Sequence, residues 1–168
     1  TVGIYPNAGI ADAQKAIEAA RRMFDSGKWS NSPAAERARI LRKAADLVTE
    51  RADALATCLA NEVGKPKTMA FAEVMGTAEV FQLSAAKALN LSGESLTQQI
   101  PDAIGLVVHE PVGVVGIITP WNFPLLLISW KVGPAIAAGC TMVAKPSHYT
   151  PGSTLMLARL LADAGLPA

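Results

Sequence analysis

The chain has 168 residues, enough for the core of one domain; 51% are hydrophobic and the formal net charge is +1. That balance gives no basic stretch for nucleic acid or an anionic membrane surface. Two cysteines, Cys58 and Cys140, suggest neither a disulfide framework nor a metal site, and they fit a reducing cytoplasm.

Residues 1–9 carry Pro6, Asn7 and Gly9 without a helical period and read as an arm or loop. The first residue is Thr1, and no signal or transit pattern follows it, so a processed product or a piece of a longer chain is expected. A first helix runs from about Asp12, a good N-cap, to Ser26, with Gly27 at the stop; Ala13, Ile17, Ala20 and Phe24 share its apolar face. Ser32-Pro33 opens a second helix, whose buried stripe is Ile40, Leu41, Ala44, Leu47 and Val48. Its charges, Glu36, Arg37, Arg39, Arg42 and Lys43, read as a solvated face. A third helix spans about Asp53 to Val63 and ends at Gly64, with Pro66 beyond. A fourth runs from about Thr68 to Asn90; Phe71, Val74, Met75, Ala78, Phe81, Ala85 and Leu89 repeat at helical spacing, as core packing requires.

Residues 92–102 are polar and end in the turn signal Pro101-Asp102, after which Ala103–Glu110 reads as a strand. The pattern then changes character. Gly113–Thr119 is a continuous Val- and Ile-rich run, as in a strand buried on both faces. Pro120 stops it, and Pro124 suits the first turn of a helix over Leu125–Ala138 that closes at Gly139. Cys140–Ala144 is a second apolar strand, and Thr150-Pro151 opens a further helix. Such a β-α-β-α unit implies parallel strands joined by a right-handed crossover, with ligands at the strands' carboxyl ends, where Asn122 and Lys145 both lie. The expected class is α/β, organised as a helical segment over 1–102, an arm strand over 103–110 and a first βαβα unit over 111–168. The apolar centre is no membrane span, because Pro120, Asn122, Pro124 and Lys131 interrupt every window of about 20 residues.

Within this stretch, PWNFP (120–124), WK (130–131), GPAIAAG (133–139), KPS (145–147) and TP (150–151) follow one another at an ordered spacing. Upstream stand ERARIL (36–41), EVGKP (62–66) and HEPVGVVG (109–116). Together they resemble the N-terminal portion of the aldehyde dehydrogenase superfamily, through most of the chain. The resemblance implies a truncated Rossmann-like fold and a parent reaction in which an aldehyde becomes a carboxylic acid. The aldehyde is held as a cysteine thiohemiacetal and NAD or NADP is the oxidant. It also implies a homo-oligomer, dimer or tetramer, to which the arm strand contributes.

On composition, Asn122 is a turn residue that bonds its own backbone. Its two flanking prolines and two aromatics, Trp121 and Phe123, also suit an amide held in a dry site as an oxyanion donor, the catalytic role the resemblance implies. Lys145 reads either as a lysine snorkelling out of a buried strand or, by resemblance, as a ligand of the adenosine ribose. Ser147 and His148 adjoin it. Many relatives carry an acid at His148 to hold the ribose diol, and its absence here removes a repulsion against a 2′-phosphate. By resemblance the backbone of Ile118, Thr119, Pro120 and Trp121 lines the cofactor cleft. Phe123, Leu127 and Trp130 are core packing or, by resemblance, the wall of an aldehyde tunnel suited to an apolar or aromatic substrate. Lys131 is a surface lysine or, by resemblance, a catalytic aid to proton transfer.

The chemistry needs a thiolate and a general base. By resemblance both lie beyond Ala168, as does the pyrophosphate turn, so the fragment itself is expected to be inactive. Cys140, opening a strand at the end opposite the ligand edge, is no substitute. Two rivals remain: an acylating, coenzyme A-dependent relative, and a non-catalytic binding or assembly module. No metal is expected.

Overall fold

A computed structural model describes residues 2–99 and 101–167. Four helices come first: α1 (Ile10–Asp25), α2 (Ala34–Glu50), α3 (Ala52–Val63) and α4 (Lys67–Leu89). Two short strands follow, β1 (Glu94–Leu96) and β2 (Gly105–Val107), and then β3 (Val114–Ile118), α5 (Pro124–Ala137), β4 (Thr141–Lys145) and α6 (Pro151–Asp163). β3 and β4 pair in parallel, from Val114 opposite Thr141 to Ile118 opposite Lys145. The apolar runs and their proline stops therefore form the expected β-α-β-α unit.

The helical layer packs around α4, which lies against α2, α3 and α5. Leu41, Leu55, Leu59, Phe81 and Leu125 are fully buried, each contributing about 1.5–3 kcal/mol relative to exposure. Gly64 and Gly139 take φ of 76° and 80°, the left-handed conformation that lets the chain leave α3 and α5 where the sequence places their ends.

Several expectations change. α1 begins at Ile10, two residues before Asp12, and Asp12 reaches back to accept the Gly9 amide at 2.9 Å. Its apolar stripe is not buried. Ile17 is 52% exposed, the half-buried Met23 packs against the core, and the Ala20 carbonyl accepts the Thr141 hydroxyl of β4 at 2.9 Å. Ser32 does not cap α2, because its hydroxyl donates to Trp29. Arg37 leaves the solvated face: it is half-buried and donates to the Ser32 carbonyl at 2.6 Å, and burial pulls its pKa down. On α4, Phe71 and Leu89 face solvent, and Glu73, Thr77 and Ser84 take buried places instead. β2 fills only part of 103–110 and pairs antiparallel with β1, a strand for which the polar 92–102 stretch gives no periodic sign. The sheet is less covered than its apolar sequence implies, with Ile117 buried and Ile118 76% exposed.

α5 is brought close to α4 at Gly133. A Cβ there would lie 3.2 Å from Ser84 Cβ and 3.4 Å from Phe81 Cδ1. Gly133→Val therefore overpacks a helix crossing that cannot part without moving Phe81, and is expected to cost about 1–3 kcal/mol, read as a lowered urea midpoint.

Candidate active site

The register sets the site. Ile118 and Lys145 are partners at the carboxyl ends of β3 and β4, and the Thr119 amide continues toward the Lys145 carbonyl at 3.4 Å. The loop 119–123 and the loop 146–150 therefore leave the sheet side by side, so Ile118, Thr119, Pro120, Trp121, Lys145, Ser147 and His148 share one edge. Lys145 is exposed, and its amine donates to the Pro146 carbonyl at 3.1 Å. The Ser147 hydroxyl accepts the Tyr149 amide at 3.3 Å, and the exposed His148 ring packs on Tyr149 with centroids 3.9 Å apart. Thr119 and Thr150 each bury a hydroxyl for which the described residues supply no partner. The Thr119 and Thr150 hydroxyls are enclosed, so Lys145, Ser147 and His148 are the polar side chains of this edge that a ligand could reach, and an ammonium beside a hydroxyl can hydrogen-bond a ligand's hydroxyls.

The same edge does not offer a free helix N-terminus to an anion. Glu73 of α4 accepts the Leu125 and Leu126 amides on one oxygen, at 3.0 and 3.2 Å. Glu62 of α3 accepts the Gly152 amide at 2.6 Å, and the Ser153 amide and hydroxyl at 2.9 and 2.8 Å. Both N-termini are already neutralised by carboxylates, so a phosphate arriving at either would meet like charge.

Asn122 stands between these features. Among the described residues its side-chain amide has no hydrogen-bond partner, so the backbone-bonding turn is not what holds it. The hold is on its carbonyl, which accepts from Lys65 Nζ at 2.9 Å, while the same ammonium sits 4.1 Å above the Phe123 ring. Lys65 in turn pairs with Glu73 at 2.6 Å, and their side chains are 10% and 1% exposed. Sequence reasoning assigned neither residue a role here. Glu73 had a readable signal, since an acid among Ala70, Val74 and Thr77 falls on the buried face of its helix. The expected dryness needs correcting: Asn122 is exposed, with Trp121 and Phe123 at 51% and 41%, so these residues alone do not exclude water.

The remaining candidates lie down α5. Leu127 is half-buried in the turn that follows Phe123. Trp130 lines an apolar groove of about 560 Å³ with Val80 and Leu83 of α4 and Pro134 of α5. Lys131 is exposed and seven residues into the helix, about 10 Å along its axis from the Asn122 end at 1.5 Å per residue. The chain thus brings Asn122 to the Lys145 edge and sets Lys131 about two turns down α5.

The cysteines are elsewhere. Cys140 is buried just before β4, at the end away from Lys145, and its carbonyl accepts Trp29 Nε1 at 3.0 Å. Cys58 is on α3, where burial, and after it the Glu62 carboxylate, raises its pKa. A raised thiol pKa lowers the thiolate fraction, the opposite of what a nucleophile needs. No group of metal-ligating side chains, and no helix long and apolar enough to cross a membrane, occurs among the described residues.

Comparison with known proteins completes the description. The family described as "Aldehyde dehydrogenase family" matches residues 1–168. A betaine aldehyde dehydrogenase of Bacillus subtilis is 44% identical over 159 residues, which are 95% of this chain and 32% of that protein. The succinate-semialdehyde dehydrogenase NADP(+) 1 of Schizosaccharomyces pombe is 43% identical over 168 residues, 100% of this chain and 33% of that one. Among solved structures, an NAD-dependent aldehyde dehydrogenase from Sinorhizobium meliloti superposes with a TM-score of 0.93 at 45% identity, covering 96% of this chain and 32% of that chain. A betaine aldehyde dehydrogenase from Staphylococcus aureus in complex with NAD+ gives 0.90 at 43% identity, covering 94% and 31%. The chain spans about a third of the length of the relatives it matches.

The Cys58 environment has a chemical readout. At neutral pH its alkylation by iodoacetamide should be slower than that of an unhindered thiol and should quicken as pH rises. Glu62→Gln, by removing the carboxylate that disfavours the thiolate, should speed it; peptide-level mass spectrometry measures both.

Proposed function

This chain belongs to the aldehyde dehydrogenase family, and from that premise we propose that it is the N-terminal part of an enzyme that oxidises an aldehyde to a carboxylic acid with NAD or NADP. The observation that carries this reading is the shared edge, where Asn122 follows β3 and Lys145 ends β4 on paired, parallel strands. In it, the Asn122 amide donates to the aldehyde oxygen as that oxygen gains negative charge under attack by a thiolate. A donor whose backbone is fixed, as Lys65 fixes the Asn122 carbonyl, needs little reorganisation at that moment, which is why such groups lower barriers effectively.

Neither Cys58 nor Cys140 is placed to attack at Asn122, so the thiolate and the general base are assigned to residues outside these 168. A nicotinamide dinucleotide, when bound, supplies the hydride acceptor. Lys145 and Ser147 would hold its adenosine ribose, with the backbone of Ile118 to Trp121 along the cleft. Its pyrophosphate is directed to another part of the protein, because the N-termini of α5 and α6 are taken by Glu73 and Glu62. Phe123, Leu127 and Trp130 form one wall of the aldehyde site and favour an apolar or aromatic substrate. Lys131 assists proton transfer from its place on α5.

The β1–β2 ribbon supports an oligomer. Two short strands alone are marginal in water, and Leu106 and Val108 are 71% and 72% exposed. We read the ribbon as an arm that pairs with a second copy. The two free cysteines suit the cytoplasm as the compartment.

Asn122→Ala in the complete enzyme should lower kcat by about 10²–10³, the loss typical of one oxyanion donor, with little change in cofactor affinity. An unchanged kcat, with chemistry rate-limiting, would leave Asn122 a turn residue.

Cofactor choice turns on His148, where no carboxylate stands to grip the ribose diol. A charged hydrogen bond of that kind is worth about 1.5–3 kcal/mol, or roughly one to two decades of affinity. The enzyme is therefore expected to accept NADP, and His148→Glu to move the ratio of kcat/KM toward NAD by about tenfold. A ratio that stays put would place His148 away from the ribose.

A further inference from the structure

We propose that Lys65 and Glu73 are positioning residues that set the aim of the Asn122 amide. The inference rests on the oxyanion reading of Asn122 given above. Glu73 divides its carboxylate between two tasks. One oxygen caps α5 through the Leu125 and Leu126 amides, and the other binds Lys65 at 2.6 Å. A helix cap needs only the first. The second reaches back beyond the helix, because Lys65 directs its remaining donors to the Asn122 carbonyl at 2.9 Å and to the Phe123 ring at 4.1 Å. The residue that follows is Pro124, which has no N–H with which to fasten the loop. Apart from the Phe123 carbonyl, which accepts the Leu127 amide at 2.9 Å in the first turn of α5, the Asn122 carbonyl and the Phe123 face are the handles by which residues 122–123 are held.

The clamp is itself stiff. Lys65 lies between Gly64, at φ 76° where α3 ends, and Pro66, directly before α4, so its stem leaves a fixed backbone. The Lys65 side chain is nearly enclosed and that of Glu73 fully so, and a pair in that setting depends strongly on both members. Releasing the carbonyl of residue 122 frees the rotation that orients the side chain of the same residue, while the sheet edge at Lys145 and the cofactor contacts there are untouched.

The test is a double-mutant cycle in the complete enzyme, read as single-turnover rate together with the KM for cofactor and the melting temperature. Lys65→Met should slow the chemical step by about tenfold to 10²-fold, the penalty of a misaimed group, and leave the cofactor KM within about twofold. In an Asn122→Ala background the same change should slow it less than about twofold, because the group being aimed has gone. Glu73→Gln keeps the volume and the acceptor for α5 while weakening the hold on Lys65. It should show the same dependence on background to a smaller degree, and it stands in if Lys65→Met does not fold. Equal losses with and without Asn122 would make the pair a stability element only and overturn the inference, as would a full rate in both single variants when Asn122→Ala is slow. A full rate in Asn122→Ala would sink the oxyanion reading, and the aiming role with it.

Discussion

Everything at the carboxyl edge of the sheet depends on two carboxylates that come from somewhere else. α5 and α6 both begin there with proline at the first position, and at neither N-cap, Phe123 or Thr150, does the side chain bond the first turn. Each helix start instead receives a glutamate from the helical layer, Glu73 from α4 and Glu62 from α3. These contacts join residues 52 and 90 positions apart in the chain. They fix the angle at which α5 and α6 leave the sheet, and so the path of both loops that carry Asn122 and Lys145. A carboxylate at a helix N-terminus meets the positive end of the helix dipole and unpaired amides together, which is why one side chain can anchor a whole element.

That division of labour explains what the sequence shows of this fold and what it hides. The β-α-β-α unit was legible because its signals are local: apolar runs of strand length, proline stops, and glycines at 64 and 139 where φ must be positive. The family likeness was legible for a similar reason, since its motifs cluster at those punctuation points. Burial was not local. The period of α1 is sound, yet Ile17 stays exposed, because an amphipathic stripe shows which face is apolar and not whether anything covers it. On α4 the stripe through Val74, Ala78, Phe81 and Ala85 is buried as its spacing requires, but Phe71 and Leu89 at its ends are exposed, and the buried face also takes Ala70, Glu73, Thr77 and Ser84.

The candidate site divides in the same way. The chain-order motifs brought out Asn122 and Lys145, and the parallel register sets both at one edge. Lys65 sits 57 positions from Asn122, in the EVGKP motif, whose sequence signal is family likeness alone. Nothing in the PWNFP stretch announces that a lysine binds its carbonyl. The aromatics around Asn122 suggested enclosure, but Trp121 and Phe123 each expose a large part of their surface within these residues. Phe123 has a different use here, as the face against which an ammonium rests.

The chain order of the two glutamates bears on how the protein is made. α3 and α4 leave the ribosome before the segments they cap, and they can associate with α2 on emergence. During that interval Glu62 and Glu73 remain hydrated, so the cost of desolvating them is postponed until α5 and α6 arrive with the amides that offset it. The nascent helical layer is then a template. It presents Glu62 and the free oxygen of the Lys65-paired Glu73, and each new helix docks by its first turn, the end that is synthesised first.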